Sequence, residues 1–145
     1  MFWFDKHNPD VVFGDIRRES HILCDGRLLV IDPDMLMDFT ALPFADGTFK
    51  LVSFDPPHLN NGGPKSWNRL KYGRLPGDWK AYIRAGFAEC FRVLSADGVL
   101  VFKWNETRIK ASSVLELTPH RPLFGQQTGK GNKTHWYVFM KPTQS

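Results

Sequence analysis

The sequence predicts an α/β domain built on a mostly parallel sheet, and three observations carry that prediction. Short apolar runs at Val11-Val12-Phe13-Gly14, Met35-Leu36-Met37 and Leu51-Val52-Ser53-Phe54 each stop at an acid, Asp15, Asp38 and Asp55. Such runs suit buried parallel strands, and in open α/β sheets the carboxyl ends of the strands are where ligands bind. A single strongly periodic helix follows Asp78, and another apolar strand, Val99-Leu100-Val101-Phe102, comes directly after it.

Composition bounds the rest. A chain of 145 residues with 42% hydrophobic and 14% aromatic content makes one globular domain, residues 1–145, and is short for a complete enzyme of the kind considered below. The formal net charge of +4 is compatible with a polyanionic partner and does not require one. No apolar segment is long enough to span a bilayer and the start lacks a secretion pattern, so the expected location is cytoplasmic, with no membrane partner. Cys24 and Cys90 have no Cys-x-x-Cys spacing; neither a metal site nor a disulfide is expected, and both read as small buried or half-buried residues.

In chain order, Val11 to Ile16 reads as the first strand, with Asp15 at its end able to accept two hydrogen bonds at once. An ordinary solvated strand end explains the same residues. Asp25-Gly26 marks a turn, so Arg17 to Asp34 reads as a hairpin or irregular insertion around Arg27-Leu28-Leu29-Val30-Ile31. Met35-Leu36-Met37 is the next strand, with Asp38 and Phe39 at its end. A carboxylate accepts from an amine and an aromatic face stacks on a base, although a turn acid and a core Phe are also consistent with the pair.

Leu51 to Phe54 then meets Asp55-Pro56-Pro57-His58. Two prolines cannot continue the ladder, which leaves the Asp55 carboxylate at the rim of the sheet. That carboxylate and a proline carbonyl can accept the two N–H bonds of a planar amino group, while the His58 imidazole lies against a flat ring. A proline-rich turn that only ends a strand accounts for Asp-Pro-Pro equally well.

Leu59 to Gly77 is long and aperiodic, and it interleaves Lys65, Trp67, Arg69, Lys71, Tyr72 and Arg74. Cations among aromatics suit a phosphate backbone and an exposed base, so the segment reads as a substrate lid. A lid that merely packs over the pocket would use the same residues. Asp78 caps the helix whose apolar positions are Trp79, Tyr82, Ile83, Phe87, Cys90, Phe91 and Leu94. After the strand at 99–102, Lys103, Trp104, Asn105 and Glu106 should line the same crevice as Asp55. Ile109 to Leu117 reads as a short helix, and Leu123-Phe124 with Thr134 to Met140 as a terminal hairpin in which His135 is structural.

The run Leu51 to His58 resembles the catalytic motif of class I, Rossmann-like, S-adenosylmethionine-dependent amino-methyltransferases, whose usual form ends in Tyr or Phe where this chain has His58. Residues 38–49 upstream and 91–104 downstream resemble the flanking segments, and over nearly its whole length the chain is similar to small methyltransferase-like proteins of phages and prophages. The resemblance implies a Rossmann-like sheet with an antiparallel terminal hairpin strand. Asp55, Pro56, Pro57 and His58 become catalytic. Asp15, with Ile16 beside it, would hold the cofactor's ribose, and Asp38 with Phe39 its adenine. Lys65, Trp67, Arg69, Tyr72, Lys103 and Trp104 would contact a DNA or RNA substrate. The family's first strand and its glycine-rich turn have no counterpart before Asp15, so the resemblance implies a domain incomplete at its N-terminus.

The function expected is therefore S-adenosylmethionine-dependent methylation of a nitrogen on a nucleic-acid base. An inactive remnant that binds nucleic acid or a protein is the alternative. A nucleotide-handling ATPase is disfavoured, since Gly-x-x-x-x-Gly-Lys-Ser/Thr does not occur.

Overall fold

The computed structural model describes residues 3–60, 63, 66–127, 131 and 133–143, and among these the chain is a mixed α/β protein with one larger sheet and few helices. Two residues, Gly14–Asp15, form β1, which pairs in parallel with β4 (Met35–Leu36). The insertion between them is an antiparallel hairpin of β2 (Glu19–Ile22) and β3 (Leu28–Ile31), turning at the Asp25-Gly26 step.

The larger sheet has the order β5-β6-β8-β7. β5 (Phe49–Phe54) runs parallel to β6 (Leu94–Asn105), and α2 (Trp79–Val93) makes the crossover that a parallel pair requires. β8 (Thr134–Met140) returns antiparallel to β6, and β7 (Phe124–Gln127) is antiparallel to β8. Among the described residues parallel pairing is thus confined to β1–β4 and β5–β6. The sheet is more mixed than its apolar strands predicted, because the chain reverses by a hairpin after β6.

Strand alternation divides the sheet into two faces. Phe54, Leu100, Phe102, Trp104 and Phe139 are buried toward α2, which contributes Ile83, Phe87, Cys90 and Phe91 to the same cluster. The opposite parity holds Leu51, Val99, Val101, Lys103 and Met140, of which Leu51 and Met140 are exposed. Asp78 caps α2 as its sequence predicted, its Oδ1 accepting from the Ala81 amide at 3.4 Å.

The loop leading into β5 is tied to α2 by Arg92. Its guanidinium donates to Glu89 Oε1 at 2.7 Å, to Asp46 Oδ1 and the Phe44 carbonyl at 2.8 Å, and to the Leu42 carbonyl at 2.9 Å. Glu89 Oε2 in turn accepts from the Leu42 amide at 2.7 Å. The strand carrying Asp55 therefore enters the sheet from a braced turn.

Four differences from the sequence reading concern local structure. The buried strands expected over 11–16 and 35–37 are the two-residue β1 and β4, which form a sheet of their own with Val12, Met35 and Leu36 exposed. The aperiodic lid contains a short helix, α1 (Trp67–Tyr72), set by a polar cap and not by an apolar stripe: Ser66 Oγ accepts from the Arg69 amide at 3.2 Å. The helix expected over 109–117 is α3 (Ala111–Leu115). Cys90 is buried as expected, but Cys24 is exposed beside the hairpin turn. Among the described residues no helix is long and apolar enough to cross a membrane.

Candidate active site at the strand ends

Asp55 follows the last residue of β5, and the prolines after it end the ladder as the sequence implied. Its side chain is one-third exposed, and Oδ2 accepts from Lys103 Nζ on neighbouring β6 at 3.4 Å. Burial pushes the Asp55 carboxyl above the usual range; the Lys103 ammonium and then His58 pull the other way without cancelling it. Burial likewise lowers the His58 imidazole, an effect that Asp55 opposes and Lys103 reinforces. The site thus holds a carboxylate, an ammonium and an imidazole in a partly dehydrated corner, where hydrogen bonds to a ligand are stronger than in water.

His58 lies between the lid and the core. Its ring centroid is 5.8 Å from that of Tyr72 in α1, and 6.3 Å from that of Trp104, edge to face. The loop closes through the Leu75 amide, which donates to the Leu59 carbonyl at 2.7 Å, and Leu75 is buried. Gly73 ends α1 at a φ of 78°, a left-handed conformation that favours glycine, and a Cβ there would lie 3.3 Å from Pro57 Cγ. Such a Cβ would also lie 3.9 Å from Arg17 Cζ, so lid, proline loop and the strand-end region of Asp15 converge on one point.

Arg17 is the contact that sequence reasoning missed. Its guanidinium donates to Asp15 Oδ1 at 3.1 Å and Oδ2 at 3.3 Å, and its remaining nitrogen to the Leu70 carbonyl in α1 at 2.9 Å. The only sequence signal was a cation two residues after an acid. The bridge to Leu70 spans 53 positions and could not be read locally.

Asp38 is exposed at the end of the β4 segment, its Oδ1 accepting from the Thr40 amide at 2.8 Å and hydroxyl at 2.7 Å. Phe39 packs against Tyr82 at 4.5 Å and Phe54 at 5.0 Å between centroids, which ties the end of β4 to the end of β5. Burial, then the carboxylates of Asp38 and Asp15, raise the Tyr82 phenol. The parallel register that pairs Asp15 with Leu36 puts Asp38 two residues beyond that pair, at the same end of the two strands; the helical spacing of Tyr82 had marked it only as an apolar position.

The remaining sequence candidates separate. Lys103 is beside Asp55 and also 5.6 Å above the Trp136 ring, its register partner on β8. Trp104 corrects the sequence reading: it is 1% exposed, on the helix-covered face, with its indole N–H donating to the Ile109 carbonyl at 2.9 Å. It supports His58 from the core and offers no face to a substrate. Ile16 is exposed beside Asp15. Arg69 and Tyr72 are half-buried in α1. Trp67 opens that helix but its side chain, like the whole of Lys65, lies outside the described residues.

No protein-family model and no curated protein matches the sequence. Among solved structures the chain is similar to the PH0226 protein from Pyrococcus horikoshii OT3, with a TM-score of 0.52 and 15% identity. The likeness covers 74% of this chain and 58% of that one, so the chain spans less than two-thirds of the length of its structural neighbour. At that identity the likeness concerns the α/β fold.

Proposed function

We propose that the chain is an S-adenosylmethionine-dependent methyltransferase domain that modifies a nitrogen of a nucleic-acid base. The observation that carries this reading is Asp55-Pro56-Pro57-His58 at the carboxyl end of a parallel strand, with the acid and the imidazole in one partly buried corner. The antiparallel return of β8 beside β6 agrees with the class I methyltransferase fold that the sequence resembles.

The strand-end residues fit the cofactor in part. Asp38 is exposed and can accept from an amine, with Phe39 next to it. Asp15 Oδ1 accepts from both the amide and the guanidinium of Arg17 and Oδ2 from the guanidinium alone, so Oδ2 keeps one lone pair for a ribose hydroxyl. When bound, S-adenosylmethionine supplies an activated methyl group. The chain's own part is to hold the acceptor: Asp55 and the Pro56 carbonyl take the two N–H bonds of the amino group, leaving its nitrogen aimed at the methyl, and His58 backs the ring. Arg69 supplies positive charge for the phosphate backbone.

Transfer of a labelled methyl group to DNA and to RNA tests the proposal. Asp55→Ala should lower the rate by about 10²–10³-fold, as loss of one oriented polar group in a dry site does, with S-adenosylmethionine affinity retained. Unchanged turnover in Asp55→Ala removes Asp55 from the mechanism. A second reading, an inactive module, is favoured by one observation: Asp15 and Asp55 are each already paired with a cation of the same chain. Calorimetry separates the two, since that reading requires no heat of binding with S-adenosylmethionine or S-adenosylhomocysteine.

A further inference from the structure

We infer that Lys103 is a specificity-determining residue of the Asp55 site, excluding amines that carry a positive charge and admitting neutral planar ones. The inference rests on the function proposed above, which assigns Asp55 to an acceptor amine. A bare carboxylate in a partly buried corner binds an alkylammonium ion at least as well as a neutral amino group, because the charged donor makes the stronger hydrogen bond. Asp55 is not bare. Lys103 Nζ lies 3.4 Å from Oδ2, on the strand immediately beside it, and the pairing of Lys103 with Trp136 on β8 fixes the base of that side chain.

A second cation entering the corner would have to approach this ammonium closely, where the repulsion is only partly screened. A neutral aromatic amine meets no such barrier. It takes one Asp55 oxygen and leaves the other to Lys103, while its ring lies against His58. Trp136 gives the lysine a resting place during exchange, because the ammonium is already 5.6 Å from the indole centroid and a small rotation of the side chain carries it from the acid toward the ring. The arrangement selects for exocyclic amines on aromatic rings against lysine side chains, polyamines and other alkylammonium compounds.

The test needs no methyl donor. Benzylammonium and 4-methylaniline are of similar size, one charged and one neutral at a pH slightly above neutrality. Each is titrated into the full chain, with binding followed by NMR at the His58 ring and the Trp104 indole. In Lys103→Met and in Lys103→Gln the ratio of affinities, benzylammonium over 4-methylaniline, should rise about tenfold over wild type, as removal of one nearby charge implies. Lys103→Arg, which keeps the charge, should retain the wild-type ratio. A ratio that stays at the wild-type value in both uncharged variants, or that rises equally in the arginine variant, overturns the inference. Failure of the methyltransferase reading shows separately, as an absence of labelled methyl in nucleic acid incubated with wild type.

Discussion

Gly86 offers the sharpest check on how the fold presents the site. A Cβ at this position of α2 would come 2.7 Å from both Phe39 Cδ2 and Phe54 Cζ, and 2.8 Å from Phe39 Cε2. Neither ring can retreat easily. Phe54 is 4% exposed and is backed by Phe87 at 5.5 Å and Phe102 at 5.7 Å between centroids, while Phe39 is held against Tyr82. Forcing a methyl group into a packed core costs about 1–3 kcal/mol, and the better helix propensity of alanine returns up to about 1 kcal/mol. Contacts this short take the upper end of that range, so Gly86→Ala should lose about 2 kcal/mol, which for a domain of this size lowers the melting temperature by about 4–8 °C. Gly77→Ala is the control, since a Cβ there meets nothing within 4 Å and the variant should melt within about 1 °C of wild type. Thermal melts followed by circular dichroism read both. A Gly86→Ala protein that melts at or above the wild-type temperature would refute the close approach of α2 to the two rings. Because Asp38 and Asp55 adjoin those rings in sequence, the same substitution should also weaken ligand binding at the strand ends.

Four other outcomes follow from the site and its supports. Folding raises the Asp55 carboxyl above its ordinary value, so its protonation adds stability that is present in acid and is lost as pH rises through the raised value. Asp55→Asn should consequently melt higher than wild type at neutral pH, with the margin vanishing below the ordinary carboxylate range; a lower melt at neutral pH would mean that the Lys103 pair outweighs burial. His58 has the opposite sign: its value is depressed from 6.5, so its stabilisation is present above that pH and is lost as pH falls through the depressed value, and His58→Gln should flatten that acid-side loss in a pH series of melts. Arg92→Met should release the turn from Leu42 to Asp46, read as faster hydrogen exchange at the Leu42 amide, and protection equal to wild type would show that Arg92 does not brace it. Arg17→Met should detach α1 from the end of β1, so that trypsin cuts sooner after Arg69 and Lys71; an unchanged cleavage rate would dismiss the bridge to Leu70.

The parts of this protein that local chemistry dictates were legible in its sequence. Apolar periodicity and the Asp78 cap defined α2, Asp25-Gly26 marked the hairpin turn, and two prolines after Asp55 ended β5 where they had to, because each signal acts over a few residues of the same chain. Even the fate of Trp104 was present in strand parity, since a residue two positions beyond Phe102 shares its buried face and Lys103 takes the other. Tertiary structure alone decided what the site's cations meet beyond their sequence neighbours. Arg17 reaches across 53 positions to the lid, Lys103 across 48 to Asp55, and Arg92 across 50 to the Leu42 carbonyl. Hydrogen bonds and ion pairs act over a few ångströms, so which acid each cation meets depends on strand register and helix placement, and these are set by apolar burial elsewhere in the chain.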